Sequence, residues 1–166
     1  MRPRHPEPLK TFAYVGLHRY FLTFCTEQRA PLFTSGAVVD LVIAQISRAA
    51  SESAFAVPAY CFMPDHLHLL AEGKSDASDC RDFIKRAKQY SGFYYSKTYR
   101  VRLWQRYGYD HVLRDDEKML VVARYILQNP IRAGLVKRIE EYPYCGSGFP
   151  RNDRKVRLKP DLRESC

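Results

Sequence analysis

The chain has 166 residues and a net charge of +9, from 27 Lys and Arg against 18 Asp and Glu. That length suits one domain with its own core, and 46% hydrophobic with 27% charged residues excludes a disordered polyelectrolyte. The basic surplus favours a polyanionic partner, because each phosphate contact releases condensed counterions, although a merely soluble basic protein has the same totals. No apolar run reaches membrane-spanning length, and no signal-like apolar stretch follows the basic, proline-rich start, so the expectation is a cytoplasmic protein without membrane contact. The five cysteines are odd in number and form no C-x-x-C pair. That pattern predicts reduced thiols, with neither a disulfide framework nor a thiolate zinc site.

Residues 1–14 read as a basic flexible arm. His18 to Thr26 alternates, with Tyr20, Leu22 and Phe24 on one side, and predicts a strand. Val38, Leu41, Val42, Ile46 and Ala49 fall at helical spacing within 37–50. Val57 to Met63 and His66 to Glu72 are two β-rich runs joined by Pro64-Asp65, the pattern of a tight hairpin. A second helix is expected over 78–99, capped by Ser78 or Asp79, with Ile84 and Ala87 inward and Gly92 loosening its later part. Val101 to Trp104 and Asp110 to Arg114 read as short strands. Asp115-Asp116-Glu117 places negative charge at the start of a third helix, which Pro130 stops near Gln128. Gly134 can cap a last turn, and 149–166 reads as a charged tail. The order strand, helix, strand, strand, helix, strand, helix predicts an α+β domain over 15–148. Its form is a ferredoxin-like antiparallel sheet with helices on one face and an extra C-terminal helix bearing a tyrosine.

His66 and His68 are two apart on a predicted strand, so both imidazoles project from one face while Leu67 and Leu69 point the other way. Two imidazoles so placed can chelate one divalent ion. An exposed face that happens to carry two histidines fits the spacing as well. Two nitrogens with an open shell suit an ion that acts on phosphate, whereas a structural zinc site wants four protein ligands.

Tyr125 and Asn129 lie one turn apart on the third helix, offset from the apolar stripe of Met119, Val122 and Ile126. A phenol and an amide oxygen can then share the metal side. A tyrosine half-buried in the helix–sheet seam is the competing reading.

The string Met63-Pro64-Asp65-His66-Leu67-His68-Leu69-Leu70 resembles the HUH motif of the IS200-like single-tyrosine transposases. Ala123 to Val136 (ARYILQNPIRAGLV) resembles their tyrosine helix, and Leu103-Trp104-Gln105-Arg106 with Tyr109 to Arg114 matches the segment between. Over residues 14–148 the similarity is nearest to the REP-associated branch. The resemblance implies that His66 and His68 bind Mg2+ or Mn2+, with Asn129 as a third ligand where relatives carry glutamine. It implies that Tyr125 is the nucleophile, forming a 5′-phosphotyrosine on single-stranded or hairpin DNA, in a monomer or homodimer.

For the substrate strand, the basic row Arg81, Lys85, Lys88 and the stretch Tyr95, Lys97, Tyr99, Arg100 offer cations and stacking rings. A solvated helix face and core-packed aromatics account for the same residues. Two other functions fit parts of the pattern: a non-catalytic single-stranded nucleic-acid-binding module on this fold, and a metal hydrolase of another substrate.

Overall fold

Alternation within Arg19–Cys25 and His66–Gly73 builds the two central strands of a five-stranded sheet. The computed structural model describes residues 13–113 and 119–147. Most of the expected arm, the acidic start of the third helix and the charged tail lie outside the described residues. In chain order the elements are β1 (Arg19–Cys25), α1 (Gly36–Glu52), β2 (Phe55–Met63), β3 (His66–Gly73), α2 (Cys80–Tyr99), β4 (Tyr109–Val112), α3 (Met119–Leu127), α4 (Asn129–Arg132) and β5 (Cys145–Ser147). The sheet order is β4-β1-β3-β2-β5, and every pairing is antiparallel. The first four strands give the split β-α-β arrangement expected from the sequence.

Register fixes the two faces. Thr23 and Cys61 flank His68 across the sheet, and Cys25 and Met63 flank His66. Tyr20, Leu22, Phe24, Leu67, Leu69 and Ala71 belong to one core with α1 and α2. Phe21, Cys61, Met63 and Leu70 belong to a second core with Val122, Ala123, Ile126 and Leu127 of α3. Both faces are therefore covered, which is why β1 and β3 are buried nearly end to end. Ser35 caps α1 through Val38 N–H, and the Asp79 carboxylate caps α2 through the N–H groups of Arg81 and Asp82.

Several expectations are corrected. Residues 101–104 form no strand; a single bridge joins Trp104 to Thr26. The segment is held by its indole instead, wedged between Phe24 and Phe33 with ring centroids 5.6 Å away from each, and donating Nε1–H to Ser91 Oγ at 2.8 Å. Gly92 does not loosen α2, which runs unbroken to Tyr99. Tyr14, placed in the arm by composition, is buried and stacks on Tyr20 with centroids 6.0 Å apart. β5 was not foreseen: the chain returns after α4 and pairs with β2, where the Tyr142 hydroxyl donates to Phe62 O at 2.6 Å. Cys25 is disulfide-bonded, against the expectation of reduced thiols throughout, while Cys61, Cys80 and Cys145 are buried in the two cores.

Candidate active site

The Pro64-Asp65 turn delivers His66 at the first position of β3, with His68 on the same face. His68 is 4% exposed. The two Nε2 atoms approach to 3.2 Å. Each ring is held from behind at its other nitrogen: His66 Nδ1 meets Asp65 Oδ1 at 2.7 Å, and His68 Nδ1 meets Thr23 Oγ1 at 2.9 Å. Asp65 is anchored in turn by Arg29, whose Nε donates to Oδ2 at 2.9 Å. Arg29 and its neighbour Gln28 both adopt left-handed backbone, φ 56° and 53°. Non-glycine residues hold that conformation at a cost of roughly 1–3 kcal/mol each, and such strain collects at working sites. Thr26 ties the turn down by donating its N–H to Asp65 O at 3.0 Å, with its hydroxyl shared between Ala30 O and Asp65 O at 2.7 and 2.9 Å.

Burial drives both imidazoles below their ordinary value of 6.5, His68 well below it. For His68, the nearby His66, Arg132 and Arg29 add repulsion to that burial. For His66, the Asp65 carboxylate opposes the fall in part. Burial by itself would raise the Asp65 carboxyl, but His66 and Arg29 hold it below its ordinary value. An ionised Asp65 accepts from His66 Nδ1–H, which leaves the His66 Nε2 lone pair facing His68.

Tyr125 is half-buried on α3. Its ring stands edge-on to Phe21, with centroids 6.1 Å apart, and Phe21 lies 5.2 Å from the His68 ring. One phenylalanine thus separates the tyrosine ring from the buried histidine. Arg132 of α4 lies over the Tyr125 ring at 3.6 Å and donates to Tyr125 O at 3.1 Å. It also reaches His68 electrostatically. Helix geometry breaks at Gln128 between Tyr125 and Asn129, so the two are not on one continuous helix. The Asn129 amide is nevertheless turned inward, and its Nδ2 is buried without a hydrogen-bond partner.

Among the described residues no third His, Cys, Asp or Glu joins the pair as a ligand cluster. The donors present still fit one divalent ion. Two nitrogens bound at about 2.1 Å lie about 3.0 Å apart at a right angle and about 3.4 Å apart at the tetrahedral angle. The observed 3.2 Å falls between these limits. Rotation of the Asn129 amide about its last bond exchanges the orphaned nitrogen for an oxygen. The two imidazole nitrogens alone leave an open shell, which water or phosphate oxygens would complete.

The expected DNA-contacting residues of α2 lie on the opposite sheet face from this centre. Tyr95 is 3% exposed and belongs to the core, packed 4.7 Å from the Tyr99 ring, so it is not a stacking surface. Lys88 is not a solvated cation: its Nζ donates to Gln105 O at 2.8 Å, and burial lowers its pKa to about 8. Arg81 lies over the Tyr14 ring at 4.7 Å. Tyr99 is 38% exposed, and Lys97 and Arg100 are exposed, with Arg100 closing α2 in left-handed backbone. Lys85 lines a cavity. No spacing or motif pointed to Arg29 or Thr23 as supports, or to Arg132 as a neighbour of both Tyr125 and His68.

The supports make a test. Asp65→Asn keeps the turn but removes the charge behind His66. It is expected to lower Mn2+ affinity by roughly 10–100-fold, read by calorimetric titration, with little change in melting temperature. Unaltered affinity would show that Asp65 serves only the turn.

Residues 14–129 match the family model described as Transposase IS200 like. A Haemophilus influenzae protein named as a REP-associated tyrosine transposase is 26% identical over 163 residues, covering 86% of this chain and 85% of that one. Among solved structures, a REP-associated tyrosine transposase bound to a REP hairpin superposes with a TM-score of 0.69 at 18% identity, over 84% of this chain and 82% of its own. A Deinococcus radiodurans protein described as a transposase gives 0.51 at 21% identity, over 81% and 97%. The two structural matches concern the fold. No helix among the described residues is long and apolar enough to cross a membrane. With the family match spanning most of its length, and the paired histidines and tyrosine falling inside that span, the chain belongs to the IS200-like transposase family.

Proposed function

We propose that the chain cuts and rejoins single-stranded or hairpin DNA through a 5′-phosphotyrosine, using Tyr125 as nucleophile and His66, His68 and Asn129 as ligands of Mg2+ or Mn2+. The observation that carries this reading is the approach of Tyr125 to the histidine pair across Phe21, with Arg132 over its ring. The hairpin substrate is carried over from the solved relative bound to a REP hairpin.

In the proposed step the Tyr125 oxygen attacks a DNA phosphorus in line. The new bond is tyrosine oxygen to phosphorus, the bond to the 3′ oxygen breaks, and the phenolic proton is balanced by one taken up at the freed 3′-hydroxyl. The ester keeps the bond energy, so a 3′-hydroxyl can reverse the step without ATP. Arg132 and Arg29 set positive charge around the pocket, which favours a phosphate and its developing charge. Thr23 and Asp65 hold the imidazoles so that little reorganisation is needed. A bound divalent ion supplies Lewis-acid polarisation of a non-bridging phosphate oxygen.

The test uses the full chain, Mn2+ and a 5′- or 3′-labelled hairpin carrying single-stranded flanks. An SDS-resistant protein–DNA adduct on the 5′-phosphate side is expected, and chelation should suppress it. Salt-sensitive binding with no adduct in either metal would leave the non-catalytic binding module as the function.

A further inference from the structure

Away from the histidine centre, α2 and the segment 101–106 line an open surface cavity of about 450 Å3. That is within the roughly 300–1,000 Å3 typical of small-ligand sites. Its lining includes four cationic residues, Lys85, Lys88, Arg102 and Arg106, and no carboxylate. Phe93 also lines it and is 61% exposed. Its ring meets the Tyr94 ring edge-to-face, with centroids 5.3 Å apart, and most of its surface is still left in water beside the basic lining.

The walls are fixed in advance. Lys88 spans from α2 to Gln105 O and Arg106 O at 2.8 and 3.4 Å, so its charge holds the loop. The buried Trp104 anchors the same loop through Ser91. Arg102 is shared with Glu27 at 3.6 Å. Lys85 and Arg106 take part in no ion pair among the described residues; both are exposed, and the Arg106 guanidinium lies over the Tyr107 ring at 5.5 Å.

The loop that lines the cavity is tied by its backbone to the end of the sheet that carries the histidines. Gln105 N–H donates to Cys25 O at 3.0 Å, and Cys25 pairs with His66. We infer that this cavity is a subsite for an unpaired nucleotide of the DNA strand, with Phe93 stacking on the base and Lys85 and Arg106 holding the phosphates. It rests on the single-stranded DNA reading above and adds a second point of contact beside the sheet end.

The test compares two fluorescent probes by anisotropy: a hairpin with oligo-dT flanks and the same hairpin blunt. Phe93→Ala is expected to weaken binding of the flanked probe roughly tenfold, as one lost base stack does, and to leave the blunt probe unchanged. Lys85→Ala with Arg106→Ala should reduce the salt dependence of flanked-probe binding by about two phosphate contacts. Both positions are solvent-facing, and the blunt probe reports whether each variant is folded. Equal loss on both probes, or none on either, would overturn the subsite. Wild-type protein that forms adduct while the variants bind as it does overturns the subsite alone. Wild-type protein that neither prefers the flanked probe nor forms adduct overturns the reading beneath it.

Discussion

Tyr125→Phe is expected to abolish the SDS-resistant adduct, a fall on the order of 10^4-fold or more in its rate. The substitution removes one oxygen and keeps the ring. The edge contact with Phe21 and the stacked Arg132 guanidinium both involve that ring, so the packing of α3 on the sheet survives. Melting temperature and hairpin affinity should therefore stay close to wild type while covalent capture disappears. This separates chemistry from folding in one variant. Adduct of normal yield would mean another nucleophile is at work, and Tyr125 would revert to a tyrosine packed in the helix–sheet seam.

The second large effect concerns the imidazoles. His66→Ala and His68→Ala should each lower adduct formation by at least about 100-fold at fixed Mn2+, since each removes a ligand of a site with few protein donors. The variants are expected to differ in stability. His68 is nearly fully buried and its removal leaves Thr23 without its partner, so His68→Ala should also destabilise the apo protein by about 1–3 kcal/mol. His66 is more accessible and its loss should be milder. Melting with and without Mn2+ supplies a readout independent of turnover. Metal at 100 times its dissociation constant adds about 2.7 kcal/mol to the wild type, and that increment should vanish in both variants. A wild-type increment retained in either would remove that histidine from the ligand set.

How much of this was readable beforehand depends on whether the information is local. The β1 and β3 alternation places Leu67 and Leu69 opposite His66 and His68 in any strand, so the shared face of the pair followed from spacing alone. The supports did not. Thr23 and His68 are 45 residues apart and meet only through the β1–β3 register, and Arg29 and Asp65 are 36 apart, in two turns that the sheet brings side by side. Arg29 was doubly hidden, because it reaches Asp65 from left-handed backbone that arginine rarely adopts. β5 is three residues, Cys145-Gly146-Ser147, with no β-branched side chain, and its strand character comes from the open edge of β2. Tyr95 shows the reverse error: sequence put it beside Lys97, Tyr99 and Arg100 as a stacking ring, while the turn of α2 carries it into the core.

The strand order has one more consequence. β4 and β5 are the two hems of the sheet, and the chain between them contains α3 and α4. The helix on that segment packs over the middle of the same chain's sheet, so its phenol shares a face with its own imidazoles. A solitary molecule then contains both halves of the proposed centre, and the first cleavage should be unimolecular once DNA is loaded, with a rate that dilution of the protein leaves untouched.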